Sequence, residues 1–293
     1  MTDEVAPPPG GARPDVVRWR LRVAYDGSGF RGFAAQNGHR TVGGALAEAL
    51  SRVTQTEVAL TCAGRTDAGV HALDQVVHFD LPAPVASKLV PATVVRSVNR
   101  QLAPAIVVRE AGEVPLTFSA RRSATGRSYR YLVVNGPVVD PLLANVAWHV
   151  AEPLDLRTMS AAADALVGEH DFRAFCRRAP GTTADDPIFR RVTDARWSLV
   201  DGSRGKALVP VEGRLLAFEI EANAFCHQMV RSLVGTLVDV GRGRKRASDI
   251  TWILRSADRQ QASQPAPPGG LTLMAVRYGD ERLARQGNLV VSW

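Results

Sequence analysis

The chain has 293 residues, enough to bury a large core in one large domain or two moderate ones. Hydrophobic residues make up 45% and charged residues 22%, which is ordinary for a soluble globular protein, and no apolar run approaches the length of a membrane span. The 36 Lys and Arg exceed the 29 Asp and Glu, and the resulting formal charge of +7 favours a polyanionic partner such as nucleic acid. A charge that only promotes solubility would explain the same excess.

The cysteines and the N-terminus indicate a cytoplasmic protein. Cys62, Cys176 and Cys226 are odd in number, widely spaced and without a C-x-x-C pair, so the sequence indicates neither a disulfide framework nor a zinc site. The start of the chain lacks a signal-peptide pattern. Residues 1–15, which include a PPPGG run, are predicted to be a disordered tail.

The first half of the chain alternates predicted strands and helices. Strict alternation over 17–25 predicts a half-buried strand with Arg18, Arg20 and Arg22 on its polar face. These arginines would form either an RNA-facing row or a solvated sheet face, and the alternation does not choose between them. Helical spacing follows over 42–53, and further elements are predicted as strands at 57–62, 75–81 and 105–110 and a helix at 91–100.

The pattern of predicted elements is interrupted near residues 112–117, which predicts a domain boundary there. We therefore expect an N-terminal α+β domain over 16–114 and a C-terminal α+β domain over 115–293. In the second half, helical spacing over 154–167 ends at Gly168, and residues 196–200 and 215–221 predict a hairpin. A buried helix from about 229 to 241 and a strand over 271–278 complete the pattern.

A carboxylate stands in a glycine-bracketed loop between the strands at 57–62 and 75–81. Asp67 lies between Gly64 and Gly69, with Arg65 two residues before it. A nearby guanidinium favours the anionic form of a carboxylate, which is the form that a nucleophile needs. The same residue types are also ordinary in turns, where the arginine is only a solvated partner.

The second half offers aromatic and basic side chains at matching spacings. Tyr129 and Tyr131 share one face of a predicted strand, with arginines around them, as a phosphate backbone and unstacked bases would require. Core tyrosines with hydroxyls at the rim would give the same pattern. His227 and Arg231, four residues apart, are predicted to project together from the buried helix.

Metal chemistry finds little support in the sequence. His170 has no second histidine at ligand spacing. A metal-dependent nuclease that uses Asp67, Asp74 and Asp80 as ligands is an alternative, but their spacing follows no known ligand motif.

Four separated strings resemble one family. They are GRTDAGVHA at 64–72, RSYRY at 127–131, NAFCHQMVR at 223–231 and PPGGLTL at 267–273, and together they resemble the signature of the tRNA pseudouridine synthase A family. The resemblance implies the pseudouridine synthase fold. This is an α+β fold of two similar halves, with mixed, mainly antiparallel sheets, helices on one face, and a central basic cleft where the sheets meet.

The resemblance also implies a site. Asp67 would be the nucleophile, Arg231 its salt-bridge partner, and Tyr129 would stack on the target base and take part in proton removal. The residues expected to bind substrate are Arg65, near the flipped base, Leu271, beneath it, and Tyr129, His71 and Arg127.

The implied reaction is the isomerisation of uridine to pseudouridine at positions 38, 39 and 40 of the tRNA anticodon arm. It needs no cofactor and no metal. The resemblance also implies a cytoplasmic homodimer that is not attached to a membrane. The alternatives are a non-catalytic RNA-binding protein and a synthase that acts on other RNA positions.

Overall fold

The computed structural model describes residues 15–177, 186–200 and 213–279. These ranges contain ten strands and six α-helices. The strands are β1 (Val16–Tyr25), β2 (Thr61–Cys62), β3 (His71–Pro82), β4 (Ile106–Val114), β5 (Ala124–Asn135), β6 (Trp148–Val150), β7 (Gly168–Asp171), β8 (Phe189–Leu199), β9 (Arg214–Ala222) and β10 (Leu271–Tyr278). The helices are α1 (Val42–Thr54), α2 (Ala83–Ala86), α3 (Pro91–Leu102), α4 (Leu156–Asp164), α5 (Met229–Gly241) and α6 (Asp249–Ser256).

The ten strands form one mixed sheet in the order β4-β1-β3-β10-β5-β9-β8-β7, with β2 beside β3 and β6 beside β5. β10 is the strand that joins the first half of the chain to the second, because it runs parallel to β3 and antiparallel to β5. The fold is therefore α+β, with most pairings antiparallel. The division into two similar halves, the boundary near residue 114 and the basic cleft stay predictions.

The hydrophobic periodicity of the sequence predicted the positions of most strands and helices. The predicted strand at 17–25 is β1, and its apolar residues Trp19, Leu21 and Val23 are fully buried. The predicted strand at 271–278 coincides with β10. The predicted strand at 57–62 is shorter than expected, because only Thr61 and Cys62 pair with β3.

Two other expectations differ from the structure. The helix predicted to stop at Gly168 ends at Asp164, and Gly168, with φ of +118°, begins β7 instead. The expectation that the cysteines form no disulfide is wrong for one pair, because Cys176 and Cys226 form a disulfide with their Cα atoms 5.7 Å apart. The predicted tail lies outside the described residues except for Asp15.

The arginine row of β1 is paired within the sheet. Arg18 lies 2.7 Å from Asp80 of β3 and Arg22 lies 2.7 Å from Asp74 of the same strand. Arg20 pairs with Glu110 of β4. The acids of the neighbouring strands therefore balance the charge of this row.

The described part of the chain contains no helix of the length and apolarity that crossing a membrane requires.

Candidate active site

Buried polar contacts fix the loop that precedes β3. The side-chain amide of Gln75, which is fully buried, donates to the carbonyl oxygen of Gly64 at 2.7 Å. The hydroxyls of Thr66 and Tyr25 lie 2.8 Å apart, and the Phe33 amide donates to the Thr66 carbonyl at 3.1 Å. Three hydrogen bonds therefore fix the loop at Gly64 and Thr66.

This backbone holds the Asp67 carboxylate in a partly exposed position. The Val70 amide donates to the Asp67 carbonyl at 3.1 Å, which closes a tight turn, and Gly69 within it has a φ of +81°. Residues other than glycine rarely adopt that backbone conformation. The Asp67 side chain keeps 22% of its surface exposed, so it is sheltered but accessible.

Arg231 meets this carboxylate from the second half of the chain. It lies in the first turn of α5, and its Nη1 donates to Asp67 Oδ2 at 2.9 Å. Its Nε donates to the Ala266 carbonyl at 2.8 Å, which fixes the plane of the guanidinium. The segment that carries Ala266 can reach α5 because Gly235 has no side chain; a Cβ there would lie 2.0 Å from the Gln264 carbonyl oxygen.

His227 is a second partner of Asp67. Its Nε2 lies 3.2 Å from Asp67 Oδ1, and half of its side chain is exposed. The sequence grouped His227 with Arg231 by their spacing, and both side chains reach the same carboxylate. His227 lies in the turn before α5, which begins at Met229, and it was missing from the expected site residues because spacing in the sequence does not reveal what a segment faces.

Tyr129 is almost completely buried and lies within electrostatic range of Asp67. Burial raises the pKa of its hydroxyl to about 12, the positive charge of Arg127 opposes this shift, and the negative charge of Asp67 adds to it. Its ring packs edge-on against Phe225 with the ring centroids 5.0 Å apart. At neutral pH this hydroxyl therefore keeps its proton and is a hydrogen-bond donor.

His71, expected at the substrate, is buried and ties three segments together. Its Nδ1 accepts from the Gly27 amide at 3.1 Å. Nδ1 also lies 3.1 Å from Asp26 Oδ1. Nε2 faces two carbonyl oxygens, which can only accept, so it donates to Asn145 at 2.9 Å and to Gly269 at 3.0 Å. These contacts link the Asp67 loop to the second half of the chain.

Arg127, also expected at the substrate, donates to backbone carbonyls and to no side chain among the described residues. Its Nη2 reaches Ala63 at 2.9 Å and Arg121 at 3.0 Å, and its Nη1 reaches Asn223 at 2.9 Å. Burial lowers the pKa of this guanidinium. The side chain connects the base of the Asp67 loop to the end of β9.

The remaining two expected residues differ in exposure. Arg65 is exposed and makes no hydrogen bond or ion pair with the residues that the structure describes, so its guanidinium is available to a ligand. Leu271 is buried and pairs in register with Tyr131 across β10 and β5.

The aspartates of the nuclease alternative are engaged elsewhere. Asp74 and Asp80 pair with Arg22 and Arg18. Within the described ranges, no three His, Cys, Asp or Glu side chains are grouped as metal ligands.

Comparison with known proteins gives consistent matches over most of the chain. A family model described as tRNA pseudouridine synthase matches residues 22–121 and 162–279. The tRNA pseudouridine synthase A of Idiomarina loihiensis is 43% identical over 262 residues, which cover 89% of this chain and 93% of that protein. The proteins of the same name from Frankia casuarinae (42% over 267 residues, 90% of each chain) and Streptomyces griseus (41% over 276 residues, 93% of this chain and 92% of that protein) match as well.

We expect Arg127→Leu to lower the free energy of unfolding by about 2–4 kcal/mol, because several carbonyls lose their buried donor. Urea unfolding measures this, with Arg65→Leu as the control that leaves stability unchanged. If Arg127 instead contacts RNA phosphate, the leucine variant will be as stable as wild type, will bind tRNA more weakly, and its affinity will depend less on salt.

Proposed function

The chain belongs to the tRNA pseudouridine synthase family, a family of isomerases, and on this basis we propose that it converts uridine to pseudouridine in the anticodon stem-loop of tRNA, at positions 38, 39 and 40, with Asp67 as the nucleophile. The observation that carries the proposal is the contact between Asp67 and Arg231, at 2.9 Å. The substrate class comes from the names of the relatives, which are synthases of tRNA.

The reaction breaks the bond between ribose C1′ and uracil N1 and forms a bond between C1′ and C5. The C5 proton leaves and N1 gains one, so the oxidation state does not change and the chemistry requires no redox cofactor. A carboxylate that attacks or stabilises charge is needed, together with a group that handles the C5 proton.

Asp67 suits the first role because of what holds it. Arg231 donates to one carboxylate oxygen, and its Nε bond to the Ala266 carbonyl holds the guanidinium in place beside it. His227 on the other oxygen is half exposed, so it can move aside for a substrate. The carboxylate therefore keeps one fixed partner and one adjustable partner.

Tyr129 suits the second role as a proton-bearing group rather than as a phenolate. With a pKa raised to about 12, its hydroxyl is neutral at pH 7, so it acts as a relay that takes up the C5 proton while its own proton passes to another acceptor. Arg65, exposed two residues before Asp67, is proposed to hold the RNA backbone near the extruded base, and Leu271 to pack beneath that base.

The target nucleotide has to leave the base stack to reach Asp67, which costs a few kcal/mol and less near a loop. An anticodon arm offers such a base. A homodimer in which two chains share one tRNA, located in the cytoplasm, completes the proposal.

Asp67→Asn and Asp67→Ala are expected to abolish pseudouridine formation, with a rate loss of about 10⁴-fold or more, because no other side chain replaces the nucleophile. Both variants should still bind tRNA. Tritium release from tRNA labelled at uracil C5 measures the reaction.

Asp80→Asn is the matched control and should release tritium like wild type, since Asp80 pairs with Arg18. Release at the wild-type rate by Asp67→Asn would show that the protein is a non-catalytic RNA binder or uses another residue. Cleavage of tRNA by the wild type that a chelator abolishes and that Asp80→Asn lacks would favour the nuclease.

Tyr129→Phe should slow tritium release by about 100-fold at constant tRNA affinity, if the hydroxyl handles a proton. Because the pKa of Tyr129 is raised to about 12, its hydroxyl stays neutral from about pH 6 to 9. The ratio of wild-type to variant rates should therefore be constant over this range. A ratio that rises tenfold per pH unit would mean that Tyr129 reacts as a phenolate.

A further inference from the structure

Two cysteines meet beside the candidate active site. Cys176 follows the short 3-10 helix Arg173–Phe175, and Cys226 lies five residues before Arg231. Their Cα atoms are 5.7 Å apart, which is a normal span for a disulfide. The Arg177 amide donates to the His227 carbonyl at 2.9 Å, so the two segments lie side by side.

Both sequence neighbours of Cys226 touch the site. The Phe225 ring packs against Tyr129, and His227 contacts the Asp67 carboxylate. Tyr129 itself is only 9% exposed. A ring that stacks on a base needs one open face, so the segment 223–228 has to shift before a uracil can lie on Tyr129.

We propose that Cys176 and Cys226 are a reversible redox site, whose disulfide holds the segment 223–228 closed over Tyr129 and whose reduction releases that segment to admit the target uridine. The effect on catalysis rests on the function proposed above. In a reducing cytoplasm the dithiol is the working state, and oxidation slows the enzyme.

The oxidant is a low-molecular-weight disulfide, RSSR, and the step is thiol–disulfide exchange. The thiolate of Cys226, the more exposed of the two, attacks RSSR, whose S–S bond breaks and releases one RSH. The Cys176 thiolate then attacks the Cys226 sulfur, forms the protein disulfide and releases the second RSH. Two protein thiols are oxidised, one RSSR is reduced, and the two thiol protons pass to the released thiols.

Cys62 provides a matched control within the same chain. Burial raises the pKa of its thiol to about 11, so it stays protonated and slow to exchange near neutral pH. It lies in β2 and is not part of the pair.

The experiment compares full-length protein equilibrated with oxidised or reduced glutathione. Alkylation and mass spectrometry under denaturing conditions count the free thiols, hydrogen exchange reports on residues 223–228, and single-turnover tritium release reports on catalysis. We expect the oxidised protein to show one free thiol, slower exchange in 223–228, and release at least about tenfold slower, with recovery on reduction.

Cys176→Ser and Cys226→Ser should keep the rate of the reduced wild type in both buffers, whereas Cys62→Ala should respond as wild type does. Three free thiols in the oxidised protein, equal exchange in the two states, or oxidised protein as active as reduced protein would each overturn the proposal. Slower tritium release by the serine variants in oxidised glutathione would also overturn the proposal. A reduced wild type that forms no pseudouridine would instead refute the proposed function, while the thiol count and the exchange data would still decide the fate of the cysteine pair.

Discussion

The contact between Asp67 and Arg231 is the constraint on which the site depends. The two residues are 164 positions apart, one in the loop before β3 and the other in the first turn of α5. Both side chains are largely sheltered from water, so each offsets part of the cost of burying the other. Folding of the two halves onto one sheet and formation of the charged site are therefore the same event.

The surrounding side chains serve the backbone of this site rather than its chemistry. Gln75 and Arg127 donate to carbonyl oxygens at the start of the Asp67 loop, and His71, at the end of that loop, donates to the Gly269 carbonyl. Such buried donors are costly to remove, and they hold the loop in one conformation before any substrate arrives. A carboxylate on a preformed loop, with a guanidinium already fixed beside it, requires little rearrangement when charge develops.

Hydrophobic periodicity predicted the strands and helices, because the burial of one face of each element produces that periodicity. β1 and β10 lie where alternation put them. Arg231 and His227 both contact Asp67, but His227 precedes α5, so a shared helix face is not what brings them together. The union of both halves in one sheet was not predictable, since it depends on the parallel pairing of β10 with β3.

The roles of His71 and Arg127 show the limit of reasoning from residue types. An arginine or histidine in a conserved-looking string can donate to an RNA phosphate or to a buried carbonyl, and the local sequence is the same in both cases. Only the tertiary contacts show that these two side chains face inward. The pairing of Cys176 with Cys226 over 50 residues was invisible for the same reason.

The most direct test of the account is the effect of Arg231→Leu on catalysis and on tRNA affinity, measured with the exposed Arg52→Leu as control. If Arg231 acts on Asp67, single-turnover pseudouridine formation should fall by about 100-fold or more, while the Kd for tRNA changes by less than about threefold and keeps its salt dependence. A loss of affinity that accounts for the whole loss of activity, and that disappears at low salt, would identify Arg231 as a phosphate contact and contradict the account.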